Sequence, residues 1–239
     1  MPRTSPHEHF LDASGVETAV FELRPDYRAL LLVADGLGLA PSNPVSDYLA
    51  DAAEAHARAL LAAGPVEDLP HIAAWRAAYR AFGAKPQRTR NSLEALTRRA
   101  ADRLPRVNAL TDIYNAVSVL HQVPIGGEDL ALYRGPARLV RATGDEAFEA
   151  FADGAPTVEH PSAGEVVWRD DLGVTCRRWN WRQGPRTALS EQTRTAFFIF
   201  DALDPMTDDA LGAAATALSS ALGRVSPRID VSRRVVGAQ

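Results

Sequence analysis

The sequence predicts an α+β fold. Three observations carry that expectation: helical periodicity is gathered in the first half, short β-type runs separated by Gly, Pro and Asp clusters dominate after Pro124, and the regular βαβ alternation of a parallel sheet is missing. The 239 residues are 46% hydrophobic and 23% charged, ordinary globular proportions that suffice to bury the core of one large domain or two packed lobes.

Residues 16–34, VETAVFELRPDYRALLLVA, read as strand, turn and strand, because Pro25 fixes φ and lacks an amide donor. Asn43-Pro44 is an N-cap followed by Pro at the first helical position, and Tyr48, Ala52, Ala55, Ala59 and Leu60 recur at helical spacing up to Gly64-Pro65. Ile72, Trp75, Ala78, Tyr79 and Phe82 predict a second helix over residues 69–82, with Arg76 and Arg80 on another side and Gly83 at its end. Asn91 and Glu94 form the N-x-x-E variant of a capping box at the start of a third, and residues 110–121 predict a fourth.

Beyond Pro124, ARLVRA, EVVWRD, GVTCRRWN and TRTAFFIFDAL read as strands, with residues 170–173 as a hairpin turn. Residues 211–222 are Ala-rich and helical, ahead of the strand-like RIDVSRRVV. Gly36 and Gly38 follow a strand in DGLGLAP, but neither a dinucleotide fingerprint nor a phosphate-loop lysine accompanies them, so they read as a turn.

A formal charge of −4 excludes a wholly basic nucleic-acid coat. The single cysteine, Cys176, cannot form an internal disulfide and suits a reducing compartment, hence a cytoplasmic expectation. No apolar run approaches the roughly 20 residues a bilayer needs, and MPRTSPHEHF lacks the apolar core of a signal peptide, so no membrane partner is expected. All but one of the 26 basic residues are arginine, the exception being Lys85, a bias that suits an Ala-rich, codon-biased genome.

Hydrolase and metal signatures are missing. His7 and His9 have no cysteine or carboxylate partner set, His56, His71, His121 and His160 show no H-x-x-x-H spacing, and there is no G-x-S-x-G elbow, so neither a metal nor another cofactor is expected. Two basic concentrations remain. Residues 85–106 hold seven basic side chains (Lys85, Arg88, Arg90, Arg98, Arg99, Arg103, Arg106) against Glu94 and Asp102, which serves either as a phosphate grip or as a solvated helix face. In CRRWNWRQGPR, a strand would put Trp179 and Trp181 on one face and Arg178, Asn180 and Arg182 on the other. The tryptophans are either a stacking platform or core filler, and Asn180 and Gln183 carry polar groups that need partners if buried.

Asp112-Ile113-Tyr114-Asn115-Ala116-Val117, then Pro124 and Asp129, resembles without a gap the DxTNYV…GQPxHAFD motif of the B3/B4 domain, the editing and tRNA-binding module of the phenylalanyl-tRNA synthetase β subunit. Arg141-Ala142, Gly144, Glu146 and Asp153-Gly154 match its RxA, GE and DG positions in order, and the likeness covers roughly residues 105–200. LPRVNALTDIYN and GEVVWRDDLGVTCRRWNWRQ look most like free-standing B3/B4 proteins. The resemblance implies a layered domain with a β-sandwich or sheet core, flanking helices and extra N-terminal helices. In that scheme residues 1–14 are a flexible N-terminus and 15–239 a single domain: a helical part (15–104), a motif-bearing core (105–200), and a C-terminal helix and strand (201–239).

The resemblance also implies metal-free hydrolysis of the ester of a mischarged aminoacyl-tRNA, with tRNA rather than DNA as the partner. Departures are specific: the motif's threonine is Tyr114, its pocket histidine falls on Gly126, and its GGE segment falls near residues 181–183. An aminoacyl ester is already activated, so a site needs mainly a placed water and donors facing the oxyanion. Asn115 would orient water or the substrate amine, or anchor its loop by a buried hydrogen bond; Gly126 and Gly127 would bring backbone amides to the carbonyl, or form a tight turn. Tyr114, Asn180 and Gln183 would read the amino acid between walls of Trp179 and Trp181. Arg178, Arg182 and Arg186 would meet the terminal adenosine phosphates, and Lys85, Arg88 and Arg90 the acceptor stem. Two other functions suit the same residues: a non-catalytic tRNA- or RNA-binding module, and a protein binding a free amino acid or metabolite.

Overall fold

The computed structural model describes residues 6–152 and 154–238. In chain order they form α1 (Pro6–Ala13), β1 (Gly15–Val16), α2 (Thr18–Leu23), β2 (Arg28–Asp35), α3 (Pro44–Ala63), α4 (Pro70–Ala81), α5 (Ser92–Ala100), α6 (Ala109–His121) and β3 (Ile125–Asp129). There follow β4 (Arg138–Arg141), β5 (Phe148–Ala152), β6 (Ala155–Glu159), β7 (Val166–Arg169), β8 (Val174–Arg177), β9 (Arg182–Gln183), β10 (Thr195–Ala202), α7 (Asp208–Val225) and β11 (Asp230–Gly237). The α+β expectation holds: helices precede most strands, and the strands build sheets of order β11-β2-β10-β3 and β1-β4-β7-β8-β9, with β5-β6 as a separate hairpin.

The layering follows from the period of two along β2 and β10. Leu30, Leu32, Phe198 and Phe200 face α6 and α7, packing on Ile113, Val117, Leu218 and Leu222. Leu31, Val33, Phe197 and Ile199 face the other way, onto Leu139, Val166, Trp168 and Cys176 of the second sheet. Strands buried on both faces read as continuous apolar runs, which is why ALLLVA and AFFIF carry no alternation. Outside this stack, α3 and α5 close on α6 through Ala50, Ala53, Ala57, Ala100 and Ala116, small residues that let helices approach closely.

Two local expectations are corrected. Residues 18–23 form α2 rather than a strand: the pairing of β1 with β4 stops after Val16↔Leu139, and the segment coils instead, burying Val20 and setting Phe21 against Tyr27. The turn at Pro25 stands, closed by the Arg24 guanidinium on Asp26. The expected flexible terminus also contains structure, since α1 buries Leu11 and sets Phe10 edge-on to Phe197 and Tyr133 at 5.0 and 5.7 Å. Residues 1–5 of that expectation, and Asp153 of the DG match, lie outside the described residues.

Side-chain caps mark where α3 and α5 begin. Asn43 accepts from Val45 and Ser46 amides while Ser46 Oγ accepts from the Asn43 amide, a reciprocal box. At α5 only half the box forms: Asn91 accepts from the Glu94 amide at 2.9 Å, but the Glu94 carboxylate turns inward to Arg76 and Arg98 instead of back to the cap. That fully buried carboxylate ties α5 to α4, a stronger demand than the cap.

Candidate functional site

A cavity of about 260 Å³ opens where α5, α6, β3, β10 and the β8–β9 connection meet. Asn115, Gly126, Trp181 and Gln183 all line it, together with Tyr114, Trp168, Cys176, Trp179, Asn180, Arg182, Ile199 and Asp201. Segments far apart in sequence thus share one hollow.

The β8–β9 connection is a turn rather than the continuous strand expected. Arg178 and Trp179 have φ of 49° and 68°, a left-handed pair that reverses the chain within residues 178–181. The alternation of faces therefore fails, and the two tryptophans take separate roles. Trp179 is fully buried, edge-on to Trp75 and Tyr27 at 5.3 and 5.0 Å. Trp181 stays part-exposed at the mouth, with the Arg178 and Arg182 guanidiniums 4.6 and 4.8 Å from its ring centroid.

Asn180 is buried and committed to the scaffold. Its Oδ1 accepts from Tyr79 Oη at 2.9 Å, its Nδ2 donates to Asp201 Oδ2 at 3.3 Å, and its carbonyl accepts from the Ser92 amide at 3.0 Å. Asn115 differs. The residue is 8% exposed, lines the cavity from α6, and its side chain makes no hydrogen bond among the described residues, so its amide is left to a water or a ligand.

Gly126 and Gly127 lie in β3, not in a turn. The Asp201 amide donates to the Pro124 carbonyl at 3.0 Å, so by ladder alternation Gly126 and Ile199 form a hydrogen-bonded pair and the Gly126 amide points into the sheet. It is spent on the ladder and is not available to an oxyanion. Gly127 presents its backbone to the opposite edge, where its carbonyl accepts from Gln183 Nε2 at 3.2 Å. A Cβ at Gly127 would sit 2.8 Å from the Tyr114 ring, so the glycine is there to admit that ring. Tyr114 Oη reaches Gln183 Oε1 at 3.5 Å, and these two side chains separate the cavity from a second hollow lined by Gly127, Phe148, Phe151, Pro185 and Leu189.

The residue that sequence reasoning misses is Asp201. It follows FFIF in β10, and the period of two puts it on the Ile199 face, within the cavity lining and 2% exposed. Tyr27 Oη donates to its Oδ1 at 2.5 Å. Burial raises its pKa from 3.8 to about 7, while the Tyr27 and Asn180 hydrogen bonds pull the other way. A signal for it exists: an acid inside a run buried on both faces needs a partner or a task.

The expected cations divide. Arg186 is held by buried Asp170 through two bonds of 2.9 and 2.7 Å, and Arg182 by Glu159 at 2.5 Å. Arg178 donates to Thr89 and lies 3.6 Å from Glu165. Arg106 is neutralised by Asp47, Asp51 and Glu54, and Arg90 faces Glu94 at 3.7 Å. Lys85 and Arg88 are exposed, pair with no carboxylate among the described residues, and line a groove that Arg178 also borders.

Comparison with known proteins adds the following. The family model described as B3/4 domain matches residues 74–229. No curated protein matches the chain. An N-terminal fragment of the phenylalanyl-tRNA synthetase β-subunit from Pyrococcus horikoshii is similar at a TM-score of 0.45 and 11% identity, over 94% of this chain and 50% of that one, so the chain spans about half that fragment's length. Among the described residues no helix is long and apolar enough to cross a membrane.

Proposed function

The chain belongs to the B3/4 domain family, and from that premise we propose that it is a trans-editing deacylase, hydrolysing the ester of a mischarged aminoacyl-tRNA. The observation that carries this reading is the shared cavity: Asn115, Gly126, Trp181 and Gln183 converge on a hollow of about 260 Å³, large enough for one amino-acid moiety. The terminal nucleoside would sit at the mouth beside Trp181, and the aminoacyl group would enter between Trp168, Trp179 and Ile199.

The unpartnered Asn115 amide would orient water or hold the carbonyl. Tyr114 and Gln183, joined to each other and to the Gly127 carbonyl, would read polar groups on the entering side chain. Trp181 would carry the terminal base by stacking, and exposed Lys85 and Arg88 would meet backbone phosphates. Incubation with a panel of mischarged tRNAs tests the reading: at least one should lose its amino acid faster than in buffer, and if none does the deacylase is wrong.

A second reading, non-catalytic tRNA binding, draws on position 126, which offers neither a side chain nor a free amide. It expects salt-dependent affinity with no turnover on that panel.

A further inference from the structure

The cavity lining contains four ionisable side chains among the described residues: Tyr114, Cys176, Arg182 and Asp201. Burial raises the pKa of Tyr114 and of Cys176, so both stay protonated near neutral pH, and a guanidinium has no proton acceptor to offer. Asp201 is left as the one lining group able to take a proton there. Glu128 and Asp129, the other buried carboxylates of this sheet, are engaged by Tyr133 and Thr187 and by the Ala131 amide and Thr193, and lie outside the lining.

Geometry favours the same residue. Asp201 stands on β10 across from Pro124, on the face it shares with Ile199 and hence with Gly126. The carboxylate accepts hydrogen bonds from Tyr27 and Asn180 and faces a third donor, Trp168 Nε1, out of a capacity of roughly four, which leaves an acceptor position for water. Its place is held by residues that are themselves anchored, since Asn180 is fixed by Tyr79 and by the Ser92 amide. Trp168 Nε1 turns toward this carboxylate and Trp179 Nε1 toward Tyr27, each without completing a hydrogen bond.

We propose that Asp201 is the general base of this site, supplying from β10 the proton acceptor that position 126 of β3 lacks. The inference rests on the deacylase reading. Water oxygen forms a bond to the ester carbonyl carbon as its proton passes to the Asp201 carboxylate. The tetrahedral intermediate then collapses, the carbon–oxygen bond to the ribose breaks, and the ribose oxygen takes that proton, leaving free amino acid, tRNA with a free terminal hydroxyl and the carboxylate as it began. No co-reactant beyond water enters. The ionisable groups facing Asp201 are Tyr27 ahead of β2, Tyr79 from α4 and Cys176 from β8. Burial holds all three uncharged at pH 7.

The experiment measures single-turnover deacylation by the full chain from pH 5 to 9, after subtracting buffer hydrolysis, on the most reactive tRNA of the panel and on its N-acetylated form, whose amine does not titrate. Expected is a rate that rises about tenfold per pH unit and levels near pH 7 on both substrates, and a loss of about 100-fold or more in Asp201→Asn with tRNA affinity unchanged. A wild-type rate flat from pH 5.5 to 8, or folded Asp201→Asn within threefold of wild type, overturns the assignment while leaving the deacylase standing. Absence of turnover on every tRNA ends both. Should Asp201→Asn not fold, the wild-type profile on the acetylated substrate decides alone.

Discussion

Replacing Gly127 by alanine tests the packing that shapes the cavity wall. The added Cβ would lie 2.8 Å from Tyr114 Cδ1 and Cε1 and 2.9 Å from Leu189 Cδ1, where ordinary contacts begin near 3.4 Å. Neither side has room: β3 is fixed by its pairing with β10, and the Tyr114 ring is backed by Phe198, with centroids 6.1 Å apart. Overpacking of this kind costs about 1–3 kcal/mol. Against it stands the lower backbone entropy of the unfolded alanine chain, about 0.4–1 kcal/mol. The net is a loss of about 1–2 kcal/mol, or roughly 2–8 °C in Tm for a chain of this size. Gly126→Ala is the matched control, because its Cβ would meet only the end of the Gln183 side chain, 3.1 Å from Nε2 and 3.6 Å from Cδ, which can give by a few tenths of an ångström, and it should stay within about 0.5 kcal/mol of wild type. Urea titration, read at unchanged m, measures both. If Gly127→Ala proves as stable as Gly126→Ala, Gly127 is not the seat of Tyr114.

Titration of stability gives a second check, with its sign worked out. Asp201 has a folded pKa of about 7 against 3.8, so the stability it contributes is full below pH 3.8 and is lost as the pH rises toward 7. His71 acts oppositely: buried, with Nε2 accepting from Trp75 and from the Leu203 amide, its pKa falls from 6.5 to about 4, and its contribution is present above 6.5 and lost as pH falls through 4. The two partly cancel in wild type, so chemical denaturation should show Asp201→Asn gaining on wild type steadily from pH 4 to 7; parallel curves would contradict the buried ionisation. Glu94→Gln should destabilise by about 3 kcal/mol, because the fully buried carboxylate receives Arg76 at 2.8 and 2.9 Å and Arg98 at 3.1 Å and its loss leaves those cations facing one another; calorimetry showing less than about 1 kcal/mol would refute this. Removing Lys85 and Arg88 together should lower the salt slope of tRNA binding by about 2, one for each phosphate no longer neutralised, and an unchanged slope in filter binding would remove the groove from the interface.

Sequence logic reaches a good part of the candidate site. Asn115, Gly126, Trp181 and Gln183 stand out through a motif and through polar density, and they do meet in one cavity. The same logic misassigns residues 178–182, since two left-handed φ values at non-glycine residues leave no mark in composition. It counts Arg182, Arg186 and Arg106 as free cations, although their carboxylate partners stand 23, 16 and 52–59 residues away.

What the sequence by itself determined is whatever short-range physics decides. The caps at Asn43 and Asn91, the helices between them and the later Pro and Gly punctuation, the β-type run of β10 and the turn at residues 170–173 each depend on neighbours a few positions apart. Tertiary structure alone decided which side chains are charged, paired or left facing the cavity. Asp201 is an unremarked acid in a strand until Tyr27, 174 residues earlier, donates to it and the surrounding aromatic wall removes its water. Desolvation is a property of the assembled environment, summed over every element that closes around a group, and no local pattern encodes that sum.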